Sequence, residues 1–155
     1  MDGVLADFEG YYYDNNIPFD FDNHEEESWD VVRNTPHFYY VLKPIKGALE
    51  LFKKFSEKYE CVILSAKPKP FRGVPTAEKD KINWLIKYLG KEVADKANIC
   101  YREDKEKFCT GPQDILVDDY EINIEEWTKK GGTGVLFKDA ESTEKQLNDI
   151  LTKML

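Results

Sequence analysis

From about residue 46 onward the sequence predicts an α/β fold in which a parallel sheet carries helices on both faces. Two observations point there. Segments with apolar residues at helical spacing alternate with short apolar runs of strand formers, and polar residues gather where those runs stop. Regular helix–strand alternation is the pattern of βαβ crossovers, which bury a parallel sheet on both sides. A chain of 155 residues, 41% of them hydrophobic, is long enough to bury one real core.

Taken in order, the elements read as follows. The opening "MDGVLADF" has the character of a buried strand leaving into a loop, although no strand stands before it. Residues 9–45 are crowded with aromatic and acidic side chains and show only weak periodicity, so short helices and loops are expected there. We read them as a small, mainly helical cap inserted in a core made of residues 1–8 and 46–155. The cap follows the first strand and would lie above the carboxyl edge of the sheet, where open α/β sheets bind ligands. "KGALELFKKFSEKY" places Ala48, Leu51, Phe52 and Phe55 on one helical face and delivers the strand "ECVILS". "PTAEKDKINWLIKYLG" puts Ile82, Leu85 and Ile86 on one stripe and stops at Gly90, a residue suited to a helix C-terminus. "NICY", "DILV" and "TGVLF" are the remaining strands, with the amphipathic helix "INIEEWTKKGG" between the last two. In the tail, Thr143 and Gln146 stand at capping-box spacing, and Leu147, Ile150, Leu151 and Leu155 form an apolar face.

A net charge of −8 argues against a nucleic-acid polymer or an anionic membrane as partner, since both reward a basic surface. No apolar run approaches the ~18 residues of a membrane span. The cysteines, Cys61, Cys100 and Cys109, are odd in number, and two lie in apolar runs. Reduced thiols and a cytoplasmic protein are therefore expected.

Four stretches carry chemistry at predicted strand ends: "MDGVLADF", "ILSAKPKP", "YREDKEKF" and "ILVDDYEINIEEW". Strand ends of a parallel sheet converge, so these side chains should meet. Asp118 and Asp119 repel each other unless a cation sits between them, which suggests magnesium, although the pair taken alone is better explained as a solvated turn. Ser65 can hold a phosphate oxygen, and Lys105 or Lys107 can offset phosphoryl charge. Aromatics between Tyr11 and Tyr40 suit either the core of the insert or base stacking. Phe38 and Tyr39 are the first choices for stacking because they precede the return to the core in "FYYVLKP".

In order and spacing, the four stretches together resemble the haloacid dehalogenase (HAD) superfamily, most closely its 5'(3')-deoxyribonucleotidase-like branch. "MDGVLADF" looks like the first motif, D-x-D-G-[VT]-[LV], without its first aspartate, and "ILSAKP" is similar to the second. "REDKEKF" resembles the third motif, with Lys105 preferred and Lys107 the alternative, and "DILVDDYEINIEEWTKKGGTGVLF" resembles the fourth. The resemblance implies a Rossmann-like HAD fold and a Mg2+-dependent phosphomonoesterase of nucleoside (deoxy)monophosphates acting through an aspartyl-phosphate. It gives Asp2 the acid–base role and assigns Mg2+ to the nucleophile, the Asp2 carbonyl, Asp118 and Asp119. Ser65, Ala66, Lys67, Lys105 and Lys107 fall to phosphate and substrate binding, and Phe38 and Tyr39 to the base. The nucleophile falls one residue ahead of Met1, so the sequence is expected to be incomplete at its N-terminus. The expected partner is a small-molecule phosphate monoester, with a homodimer allowed. Two other functions fit the same motifs: an inactive HAD-fold ligand-binding protein, and a phosphatase of sugar phosphates or polynucleotide ends.

Overall fold

The computed structural model describes residues 1–155 and is α/β, with short parallel strands among many helices. In chain order the elements are α1 (Phe8–Asp14), α2 (Glu25–Asn34), α3 (Phe38–Val41), α4 (Ala48–Ser56), β1 (Leu64–Ala66), α5 (Ala77–Leu89), α6 (Lys91–Asp95), β2 (Asn98–Cys100), β3 (Ile115–Asp118), α7 (Glu121–Lys129), β4 (Thr133–Leu136) and α8 (Ala140–Met154). A 3-10 segment, Arg102–Phe108, joins β2 to β3.

The strands form two parallel pairs rather than one ladder. β1 lies beside β2 with Ser65 opposite Ile99, and β3 lies beside β4 with Val117 opposite Val135. No ladder links the pairs. The N-terminal turn connects them instead. Asp2 reaches Lys81 on the helix after β1, Gly3 packs against Asp119 just after β3, and Ala6 bridges to Pro44. Of the expected strand "ECVILS" only Leu64 and Ser65 are laddered, and the pairing runs one residue beyond it to Ala66.

One apolar cluster runs from Leu5 and Ala6 through Tyr12, Val32 and Phe38 to Trp84 and Leu85. Residues 9–45 contribute aromatic rings to it. Phe38 meets Phe8 and Tyr11 edge-on, each at 5.1 Å, and Tyr12 meets Phe19 at 5.1 Å. Polar contacts fasten the same residues to the loop after β1. The Arg72 guanidinium lies 4.9 Å from the Trp29 ring and pairs with Glu25 and Glu26, while Arg33 donates to the Arg72 carbonyl at 2.8 Å. At the entry to α3, His37 adopts a left-handed conformation and sets Nδ1 2.9 Å from Asp80 Oδ1 on α5, whose other oxygen accepts from Thr76.

Two helices differ from the sequence expectation. The buried face of α5 is Ala77, Asp80, Lys81, Trp84 and Leu85, whereas Ile86, expected inside, is 42% exposed. The stripe is rotated because Asp80 and Lys81 both find polar partners, Asp80 in Thr76 and the exposed His37 and Lys81 in the buried site. Helix α8 begins at Ala140, capped by Asp139 accepting from the Ser142 amide, so Thr143 is a buried helical residue and not a cap. The three cysteines are unpaired, and no helix is long and apolar enough to cross a membrane.

Candidate active site

The carboxyl ends of β1 and β3 and the N-terminal turn bring six side chains to one place. Asp2 stands at the start of the turn, and Ser65, 1% exposed, lies within β1. Lys81 comes up from α5 with its side chain fully buried. Its ammonium donates to Asp2 Oδ2 at 2.6 Å, to the Ala66 carbonyl at 2.7 Å and to Ser65 Oγ at 3.1 Å. The Tyr39 ring covers it, its centroid 4.4 Å from Nζ. Burial pushes Lys81 below the ordinary lysine range, and the Asp2 charge and hydrogen bond pull it part of the way back.

Across the site, Lys105 from the 3-10 segment donates to Asp118 Oδ2 at 2.8 Å, both residues being buried. The same oxygen accepts from Asn123 Nδ2 at 3.1 Å, and Oδ1 accepts from the Tyr120 amide. Burial alone would raise the Asp118 carboxyl, but the Lys105 charge and hydrogen bond outweigh that and hold it below the usual range. Met1 is buried and packs with Leu5 and Ala6 in the apolar cluster. Partial burial and the charge of Asp118 push Asp119 up, to about 6. The residue as a whole is exposed to water, and Asp118 is its immediate neighbour.

No three His, Cys, Asp or Glu side chains converge closely enough to form a metal cluster by themselves. The site does gather carboxylate oxygen, part of it paired with Lys81 and Lys105. Asp118 and Asp119 are adjacent carboxylates, and Asp2 Oδ1 is buried with no hydrogen-bond partner. That donor set fits a hard divalent cation, which takes oxygen ligands and commonly keeps several waters. Gly3 belongs to the same arrangement. It sits at φ +76°, and a Cβ there would run into the Asp119 carboxylate. Gly3→Ala is therefore expected to cost about 1–2 kcal/mol in urea unfolding from the left-handed backbone alone, and an unchanged midpoint would show that the turn relaxes freely.

Other expected site residues lie elsewhere. Lys107 points away, pairing with Asp104 at 2.7 Å with its side chain 70% exposed, so Lys105 is the lysine that reaches Asp118. Lys67 turns toward Glu78 and the Tyr101 ring, and Ala66 meets the site through its carbonyl. Phe38 is packed within the aromatic cluster with no face open to a ligand, whereas Tyr39 borders the site over Lys81. Burial and the nearby Asp2 charge raise the Tyr39 hydroxyl well above its ordinary value. Lys81 and Asn123 escaped the sequence reading. Their signal was faint: a lysine four residues after Ala77 and four before Leu85 on the face that turns inward, and an asparagine in the first turn after the acidic pair.

Over residues 18–151 the sequence matches the family model described as "5' nucleotidase, deoxy (Pyrimidine), cytosolic type C protein". Among curated proteins, a "Putative 5'(3')-deoxyribonucleotidase" of Vibrio phage KVP40 is 32% identical over 91 residues, covering 59% of this chain and 49% of that protein. Another "Putative 5'(3')-deoxyribonucleotidase", from Acanthamoeba polyphaga mimivirus, is 31% identical over 141 residues, covering 77% of this chain and 60% of that protein. The chain thus spans between about half and three fifths of the length of these relatives.

Proposed function

This chain belongs to the 5' nucleotidase, deoxy (pyrimidine), cytosolic type C family, and from that premise we propose that it is a Mg2+-dependent phosphomonoesterase of deoxynucleoside monophosphates. The observation that carries the reading is the convergence of Asp2, Ser65, Lys81, Lys105, Asp118 and Asp119 at one edge of the parallel strands. An enzyme acting on a phosphate dianion needs cations for the equatorial oxygens and a group that can pass a proton to the leaving oxygen. Lys105 and Asp2 would supply them, within an otherwise acidic protein.

Ser65 and Lys105 would hold phosphoryl oxygens, Lys105 releasing part of its bond to Asp118 as it does so. Asp2 would serve the leaving oxygen as acid and then water as base. Nucleophilic attack on phosphorus is assigned to no residue of this sequence. Asp118, Asp119 and the main-chain carbonyl of Asp2 would hold Mg2+, which when bound supplies a Lewis acid that offsets phosphoryl charge. Tyr39 closes the floor beside Asp2. Residues 9–45 would act as the cap that screens the reaction from water, with core residues 1–8 and 46–155 supplying the site.

The test is turnover of deoxynucleoside monophosphates by the full-length protein, with and without Mg2+. Release of inorganic phosphate only with the metal is expected, and failure with every nucleotide tried would favour a ligand-binding role. Binding is read separately by a thermal melt. Mg2+ at a hundredfold over its Kd should stabilise the fold by about 2.7 kcal/mol, and Asp118→Asn with Asp119→Asn should remove that shift. A melt equally shifted in the double variant would place the metal elsewhere.

A further inference from the structure

Lys81 is buried completely, and nothing in the motifs assigns it a task. An ammonium has three N–H donors and no acceptor. All three are spent here, on Asp2 Oδ2, Ser65 Oγ and the Ala66 carbonyl. Two consequences follow from donor–acceptor arithmetic. The first concerns Asp2, whose Oδ2 is tied down while Oδ1 stays buried with no partner at all. The second concerns Ser65. Because Lys81 can only donate, Ser65 Oγ must accept from it, which leaves the serine hydrogen free to point away toward a ligand.

We propose that Lys81 is the positioning residue of the site: it divides the two oxygens of Asp2, reserving Oδ1 for proton transfer, and turns the Ser65 hydroxyl into a donor for a phosphoryl oxygen. The inference rests on the phosphomonoesterase reading above. In the step it serves, the phosphorus–ester oxygen bond breaks and its electron pair goes to the nucleoside oxygen. The proton on Asp2 Oδ1 moves to that oxygen, giving the nucleoside alcohol and the Asp2 carboxylate, while the phosphoryl group passes to the attacking first-motif carboxylate. In the return step Oδ1 takes a proton from water as the water oxygen bonds to phosphorus and the acyl-phosphate bond breaks, which releases inorganic phosphate. Lys81 touches neither reacting bond. It holds the carboxylate that does, and the Tyr39 face and the Ala66 carbonyl leave its ammonium little freedom to move.

A buried ion pair that merely braced the fold would have the same geometry, and the leaving group separates the two roles. An aryl phosphate such as 4-nitrophenyl phosphate expels its phenolate without a proton, whereas a nucleoside oxygen must be protonated as it leaves. In the full-length protein, Lys81→Met is expected to lower kcat for a deoxynucleoside monophosphate by about 10²-fold or more and kcat for 4-nitrophenyl phosphate by less than about tenfold. KM should rise for both through the loss of Ser65 orientation. Lys81→Gln, which keeps a donor for Asp2, should show the same selectivity at smaller size and guards against misfolding of the methionine variant. Equal losses on both substrates overturn the proposal, as do unchanged rates, and so does failure of both variants to fold, which would make Lys81 a residue of the core. Wild-type protein inactive on both esters would instead defeat the phosphomonoesterase reading itself.

Discussion

Asp2→Asn in the full-length protein is expected to lower kcat for a deoxynucleoside monophosphate by about 10²–10⁴-fold, the range that positioned proton transfer contributes. Asparagine is nearly the same size and can still accept the Lys81 hydrogen bond at 2.6 Å through its amide oxygen, so the turn from Met1 to Ala6 should keep its place. The main-chain carbonyl offered to the cation is untouched. What disappears is a group that can carry a proton on the side of Oδ1, the oxygen buried without a partner. The loss should therefore fall on kcat with KM little changed, and it should be much smaller for an ester whose leaving group needs no proton. Steady-state kinetics on the two substrate types, with inorganic phosphate as competitive inhibitor to confirm that the site still binds, make the measurement. An unchanged kcat for the nucleotide would remove Asp2 from the chemistry.

The second large effect is on stability. Trp84→Ala should cost about 3–5 kcal/mol in denaturant unfolding, as expected when a fully buried aromatic side chain leaves a cavity. Trp84 is wholly buried in α5, contacts Tyr88 at 4.6 Å and donates Nε1–H to the Leu42 carbonyl at 2.8 Å. That bond links α5 to the end of α3, where residues 9–45 rejoin the rest of the chain. Trp84→Phe keeps most of the apolar volume but leaves the Leu42 carbonyl unpaired, and about 1–3 kcal/mol is expected from that alone. Because α5 also carries Asp80 and Lys81, the alanine variant should lose the anchoring of His37 and of Asp2 together. A loss below about 1 kcal/mol would mean that the helix repacks around the gap.

The strand–helix alternation after residue 46 was legible because side-chain periodicity is a local property. β1 to β4 fall inside the runs "ECVILS", "NICY", "DILV" and "TGVLF" or within a residue of them. The positions of Ser65, Asp118 and Asp119 at strand ends were readable for the same reason, whereas Lys105 stands five residues past β2 in the 3-10 segment. Periodicity misled at α5. Ile82, Leu85 and Ile86 formed the obvious stripe, yet the helix turns Asp80 and Lys81 inward, since each ion finds a partner that offsets the cost of leaving water. A lysine read alone belongs on the surface, and only knowledge of its partner reverses that. Phe38 shows the same limit from the other side. Its place before "YVLKP" suggested a ligand-facing ring, but Phe8 and Tyr11 close around it.

By itself the sequence determined the parallel α/β character and the acidic balance of this protein, together with the order of four polar strand ends that mark the family. Those depend on composition and on spacings of a few residues. The tertiary structure decided that the strands stand as two pairs bridged by the N-terminal turn, that Lys105 and not Lys107 meets Asp118, and that Lys81 reaches Asp2 across 79 positions of chain. The physical reason is range. A helix or strand signal is written within one or two turns of backbone, whereas a buried charge is stable only where a distant opposite charge arrives with the right geometry, and no local pattern records that meeting.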